Sequence, residues 1–399
     1  MSNICEKNET TVVHRAGRVL VDPWTLVENG YVAVRQGRIV GAGRWPDAPQ
    51  AEVVDHGPGI MMPGLVNAHT HLELSALKGR LPFGAGFESW VRHLLVERAA
   101  VSEGALASAA RAGVCELLQG GCVVAGEVTT LGITAGMLEK SPLSGVWFQE
   151  FLGAAAEIVP VSETETDGVR CSLAGHAPHT TAPAVLVALK QAATALGRPF
   201  SIHLAESEAE NEFIRTGQGP WAALLRERGI DFSGWGLSGQ TPVEHLARLN
   251  VLDRSTLAVH MIFTSGCDIQ TFAATGAHLC LCLRSNENIH GRLPDLQGFI
   301  RAKVPLCLGT DSLASVDSLS IFDEMAFVAA RFPDLDSRQI LSMATAGGAA
   351  ALGVGDHFGA LRRGRVARFL YTEDVVSAGQ NIAENIINSD VRNISRVGE

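Results

Sequence analysis

Eight short, almost wholly apolar runs recur along this chain, ending near His69, Thr129, Gly153, His176, Glu206, Ile262, Asn286 and Ser312, with helical patterning between them. Runs this apolar read as strands buried on both faces, as in a parallel sheet covered by helices. One intervening helix is expected from Ser102 to Leu118, where an N-cap serine precedes an Ala/Leu-rich periodic stretch. Eight such units in succession predict an α/β chain closed as a (β/α)8 TIM-type barrel. An open doubly wound sheet is the competing arrangement, but no Gly-x-Gly-x-x-Gly turn follows any run.

The flanks read differently. Tyr31–Arg35 and Arg38–Ala42 surround Gln36-Gly37, a hairpin signal. Gly364–Tyr371 is a further strand candidate near the other end. Residues 1–60 and 356–399 are therefore expected to pair into one small β unit, leaving 61–355 for the barrel.

Charge and composition exclude several roles. The 399 residues carry a net charge of −10 and no long basic block. The densest patch, Arg362-Arg363-Gly364-Arg365, reads as a solvated turn, so a nucleic-acid partner is not expected. No run of about 18 apolar residues exists and the N-terminus lacks a signal-type apolar segment, so a cytoplasmic protein without a membrane partner is expected. The eight cysteines show no Cys-x-x-Cys spacing, and Cys280 and Cys282, between leucines, read as core. A small-molecule substrate fits this balance, and a homodimer is left open.

The chemistry sits at the ends of the runs. His69-Thr70-His71 follows Ile60–Val66, and residues i and i+2 of a strand offer their side chains to one point, which suits a metal. His203 with Glu206, His260 and Asp311 each close another apolar run. In barrels of this kind the reactive groups stand at the C-terminal strand ends. Taken singly, Glu206 reads first as a helix-terminal carboxylate and His260 as a core histidine; their common register favours a site.

This order of motifs, His-x-His, His-x-x-Glu, His, then Asp, resembles the amidohydrolase superfamily, in its branch of mononuclear-metal deaminases and chlorohydrolases. The resemblance covers nearly the whole chain and implies a barrel with a small β-sandwich built from both termini. It implies His69, His71, His203 and Asp311 as ligands of one divalent metal, since the fourth strand end, Ala174-Gly175-His176-Ala177, has no bridging lysine. Zinc comes first on ligand type, and iron also suits imidazole and carboxylate. It further implies Glu206 as proton shuttle, His260 as the group polarising water and Asp311 as a second proton acceptor. His176 matches a substrate-contacting position, while His179 stands where relatives carry Tyr, which leaves its role open.

Softer signals resemble the aminodeoxyfutalosine deaminase subgroup: His71-Leu72-Glu73-Leu74-Ser75, which makes Glu73 a substrate-binding candidate, Phe87-Glu88-Ser89-Trp90, Phe148-Gln149-Glu150 and Arg284-Ser285-Asn286. Adenosine-type, S-adenosylhomocysteine-type, guanine-type or triazine hydrolases are the alternatives. On the seventh run, alternation places Arg284 with Cys280 and Cys282, where it either holds a substrate carboxylate or pairs with Asp317 or Glu287. In the Gly-rich stretch 233–239, Trp235 is either a pocket aromatic or packing, whereas Trp221 is expected to pack its own helix on the barrel.

Overall fold

A computed structural model describes residues 10–154, 168–237, 239–373, 381–389 and 394–397. Residues 1–9, part of the 356–399 segment and Ser238 of the Gly-rich stretch lie outside the described residues.

The eight apolar runs form one parallel sheet: β1 (Leu65–Thr70), β2 (Cys122–Thr129), β3 (Ser144–Phe151), β4 (Val169–Gly175), β5 (Phe200–Leu204), β6 (Thr256–His260), β7 (His278–Leu281) and β8 (Leu306–Leu308). Each pairs with its sequence neighbour, and a parallel bridge between Thr70 and Asp311 joins the end of β1 to the residues after β8. This is the (β/α)8 barrel. The helix expected from Ser102 spans Glu103–Gln119, with the Ser102 hydroxyl accepting from Ala105 N–H. Val66, Val124, Val146, Val259, Cys280 and Cys307 belong to one buried cluster, so the paired thiols of β7 and β8 are core packing.

A separate seven-stranded sheet carries Val12–Asp22, Thr25–Arg35, Arg38–Arg44, Glu52–Asp55, Ile60–Pro63, Phe369–Thr372 and Ile394–Val397. Gln36 and Gly37 both take left-handed backbone (φ 51° and 70°), the turn whose twist suits a tight hairpin. The two ends of the chain meet where Phe369–Thr372 runs antiparallel to Ile60–Pro63.

Three local expectations change. The run Ile60–Val66 is two strands in two sheets, broken at Gly64, where a Cβ would come within 2.4 Å of Val123. Of Gly364–Tyr371, regular strand begins only at Phe369, Val366 making an isolated bridge to Arg38. The seventh strand ends at Leu281, and Leu283–His290 is a helix. Leu283, Asn286 and Ile289 are buried there at three-residue spacing, a helical face that the preceding leucine alternation disguised. Among the described residues, no helix is long and apolar enough to cross a membrane.

Candidate active site

The C-terminal strand ends bring His69, His71 and His203 together. Nε2 of His203 lies 3.3 Å from Nε2 of His69 and 3.3 Å from Nε2 of His71. Nδ1 of His203 donates to the His176 carbonyl at 2.7 Å, so its Nε2 carries a lone pair. A lone pair facing two more imidazole nitrogens in a buried pocket is satisfied by a cation. Burial drives His69 well below the usual imidazole range and takes His203 down to about 4, keeping both neutral as ligation requires.

Asp311 borders the three imidazoles. Its Oδ2 accepts from Ser285 Oγ at 2.6 Å and Ser315 Oγ at 3.0 Å, while Oδ1 stands 3.9 Å from His71 Nε2. Gly309 makes this approach possible: a Cβ there would meet the His69 carbonyl oxygen at 2.8 Å. Three imidazoles and one carboxylate fit a single divalent metal with a position left for water. A second group, Glu150 with His176 and His203, reuses His203 and so is not independent.

Beside this centre, Glu206 Oε1 lies 3.7 Å from His260 Nε2 and 3.4 Å from His290 Nε2. Burial opposes its charge, whereas a proton gained by a neighbouring imidazole, His260 foremost and then His290, pulls its carboxyl below the usual carboxylate range. His260 Nδ1 faces Asn286 Oδ1 at 2.8 Å, so the proton sits on Nδ1 and the Nε2 lone pair faces inward.

The backbone that presents these groups is strained. Ala205, His260, Met261 and Asp311 have φ of 50°, 76°, 47° and 60°, each costing on the order of 1–3 kcal/mol. Buried Glu210 fixes the turn at β5, accepting from Ala205 N–H at 2.8 Å and Glu206 N–H at 2.9 Å. Ser285 and Asn286 thus orient Asp311 and His260, a positioning role that the Arg284-Ser285-Asn286 motif signalled without assigning.

A cavity of about 240 Å³ opens from this floor. Phe87, Trp90 and Trp221 form an aromatic wall, with Phe87 and Trp221 ring centroids 5.8 Å apart. Trp221 therefore lines the cavity against expectation, whereas Trp235 is buried against Phe213 and Phe232 and does not. His176 lines it too, its Nδ1 2.6 Å from Thr180 Oγ1. Glu73 is on the wall, but its carboxylate already accepts from Thr129 Oγ1, Thr130 N–H and Leu131 N–H, so it braces the loop after β2. Glu150, whose buried Oε1 has no hydrogen-bond partner and stands 3.7 Å from His203 Nδ1, lines the same cavity. His179 sits behind Trp221, ring centroids 4.2 Å apart, with Nδ1 3.6 Å from Glu210.

The structure does not bring Arg284 to the cavity. As a helical residue it turns outward, pairing with Asp317 and donating to the Ser318 carbonyl at 3.2 Å; its NH1 also lies 3.9 Å from Glu324, which is fully buried. Arg284→Met is accordingly expected to leave Michaelis constants near those of the parent while costing about 1–3 kcal/mol in denaturant unfolding, because the buried Glu324 carboxyl and the Ser318 carbonyl lose the guanidinium they face. A large rise in Michaelis constant at unchanged stability would contradict this placement.

With this geometry in view, the likeness to known proteins is informative. The profile of the amidohydrolase family matches residues 60–397. Aminodeoxyfutalosine deaminase of Deinococcus radiodurans is 30% identical over 360 residues, covering 82% of each chain. The 5-methylthioadenosine/S-adenosylhomocysteine deaminase of Nitratidesulfovibrio vulgaris is 26% identical over 360 residues, 83% of this chain and 76% of that protein. Among solved structures, Helicobacter pylori aminofutalosine deaminase in complex with methylthio-coformycin superposes with a TM-score of 0.81 at 22% identity, covering 96% of this chain and 97% of that one. Family profile, relatives and strand-end geometry agree, and the chain belongs to the amidohydrolase family, as a hydrolase of carbon–nitrogen bonds.

Proposed function

We propose that this hydrolase deaminates an aminopurine nucleoside, with 6-amino-6-deoxyfutalosine, an intermediate of menaquinone biosynthesis, as its substrate. The observation that carries the reading is the position of Glu206: a buried carboxylate beside His260, at the edge of the His69–His71–His203 cluster and on the floor of an aromatic-walled cavity. The likeness to the Deinococcus enzyme supports the choice of substrate. Net charge of −10 without a basic patch suits a cytoplasmic enzyme of small molecules that does not bind nucleic acid.

His69, His71, His203 and Asp311 would hold the metal, zinc by donor type, and when bound it supplies Lewis-acid polarisation of a water. The chain's own groups move the protons. His260 Nε2, with its lone pair facing inward, accepts a hydrogen bond from that water and orients it. As the water oxygen bonds to the ring carbon bearing the amine, Glu206 takes one proton and passes it to the adjacent ring nitrogen. Asp311 Oδ1 carries the second proton to the amino group; the C–N bond then breaks, giving ammonia and the 6-oxo ring. The aromatic wall orients the flat heterocycle by stacking.

The test is ammonia release by a metal-replete preparation offered 6-amino-6-deoxyfutalosine, 5′-methylthioadenosine, S-adenosylhomocysteine, adenosine and a chlorotriazine. The highest kcat/KM is expected on 6-amino-6-deoxyfutalosine. Preference for a thioether nucleoside would favour the second deaminase reading, and turnover of the triazine alone would overturn the aminopurine class.

A further inference from the structure

We propose that Arg98 and Arg228 form a two-guanidinium lip that binds the anionic end of the substrate, a carboxylate remote from the amino-bearing ring. This rests on the aminopurine nucleoside reading and adds the group that selects among such nucleosides.

Both arginines line the active-site cavity, Arg98 from the last turn of the Phe87–Ala100 helix and Arg228 from the residue capping the Pro220–Glu227 helix. The two helices are tied together by Arg92 and Glu227, whose two hydrogen bonds are 3.0 and 3.2 Å long. That pair uses up one arginine of the face. The guanidinium groups of Arg98 and Arg228, by contrast, make no hydrogen bond or ion pair with protein among the described residues. Arg98 and Arg228 border the same cavity as His176.

Around them the wall is apolar: Leu94, Leu95, Leu224, Leu225 and Ile230. The carboxylates Glu150, Glu206 and Asp311 belong to the imidazole-rich floor. The cavity is therefore polarised, with acids and imidazoles at the floor, rings and leucines between, and two unneutralised guanidinium groups at the lip. A ligand matching that order has a neutral amino-heterocycle at one end, an apolar body and an anion at the other. A planar carboxylate suits the guanidinium fork, which grips it with two parallel hydrogen bonds. Arg284, the other arginine considered for this task, is committed to Asp317 and Ser318.

The experiment compares 6-amino-6-deoxyfutalosine with its primary carboxamide, which keeps the shape and removes the charge. Binding to the holoenzyme is read by calorimetry, and turnover is read separately as ammonia release. The parent is expected to bind the carboxylate about 10- to 100-fold more tightly than the amide, the range of charge-assisted pairing. Arg98→Met and Arg228→Met should each shrink that ratio, and the double substitution should bring it near one. Lysine at either position should restore part of it. Equal binding of acid and amide by the parent, or a ratio untouched by both substitutions, overturns the lip. Absence of ammonia from every aminopurine would instead overturn the deaminase reading, with the binding ratio still deciding the lip.

Discussion

Glu206→Gln is expected to fold, keep its metal and lose roughly 10²- to 10⁴-fold in kcat, the scale of a positioned proton-transfer group. The amide keeps the side chain's shape and an oxygen for His290, whose Nε2 lies 3.4 Å away, but it cannot accept and release a proton. The surrounding backbone should not move, because the Ala205 and Glu206 N–H groups are held by Glu210. A helix-terminal role for Glu206 predicts a different result, near-parent turnover with a small loss of stability. The structure argues against that role. The following helix begins at Glu208 with Ser207 as its N-cap, and the Glu206 side chain turns to His260 and His290. Steady-state ammonia release, with elemental analysis of the same preparation, separates the two; unimpaired turnover would remove Glu206 from the proton path.

Strand ends and the histidines that stand on them were legible because barrel geometry ties them to sequence. Each apolar run must stop where the sheet meets the active-site face, so His69, His203 and His260 advertise themselves by position. What supports them was hidden, because support comes from the loops and helices after the strands and has no period. Ser285 and Asn286 orient Asp311 and His260 from a helix read as strand, since Leu279, Leu281 and Leu283 continued a two-residue alternation past the true end at Leu281. The same overrun gave Arg284 an inward face that it does not have. Glu210 was invisible for another reason. Its function is to hold two backbone N–H groups at a strained turn, and nothing in Ser207-Glu208-Ala209-Glu210 distinguishes it from a solvated helix carboxylate. His290 and the aromatic wall are assembled from segments far apart in the sequence, Phe87, Trp221 and His290, whose meeting depends on how helices cover the barrel mouth. Trp221 and Trp235 show the limit plainly. Both are buried, and only the tertiary path decides which one faces substrate.

Replacing both His69 and His71 by Ala should abolish metal retention and with it turnover, whereas the parent should copurify with about one divalent metal per chain. The two substitutions leave His203 and Asp311, and two donors do not make the three- or four-donor set that such a cation needs. They also remove the reason for the cluster's geometry. In the intact chain the Nε2 atoms of His69 and His71 each stand 3.3 Å from that of His203, whose own proton is on Nδ1, an arrangement that a cation makes favourable. Chelation of the parent should therefore lower its melting temperature, by an amount that grows with the free metal concentration in the reference sample. The double variant should be insensitive to both chelator and added zinc. Stoichiometry tests the other half of the assignment. The β4 end offers His176, whose Nδ1 is 2.6 Å from Thr180 Oγ1, in place of a bridging lysine, and Glu150 with His176 shares His203 with the first cluster instead of building a second. Two tightly held metals per chain by elemental analysis would overturn the mononuclear site, and Glu150, whose Oε1 makes no hydrogen bond, would be the first residue to examine as the extra ligand.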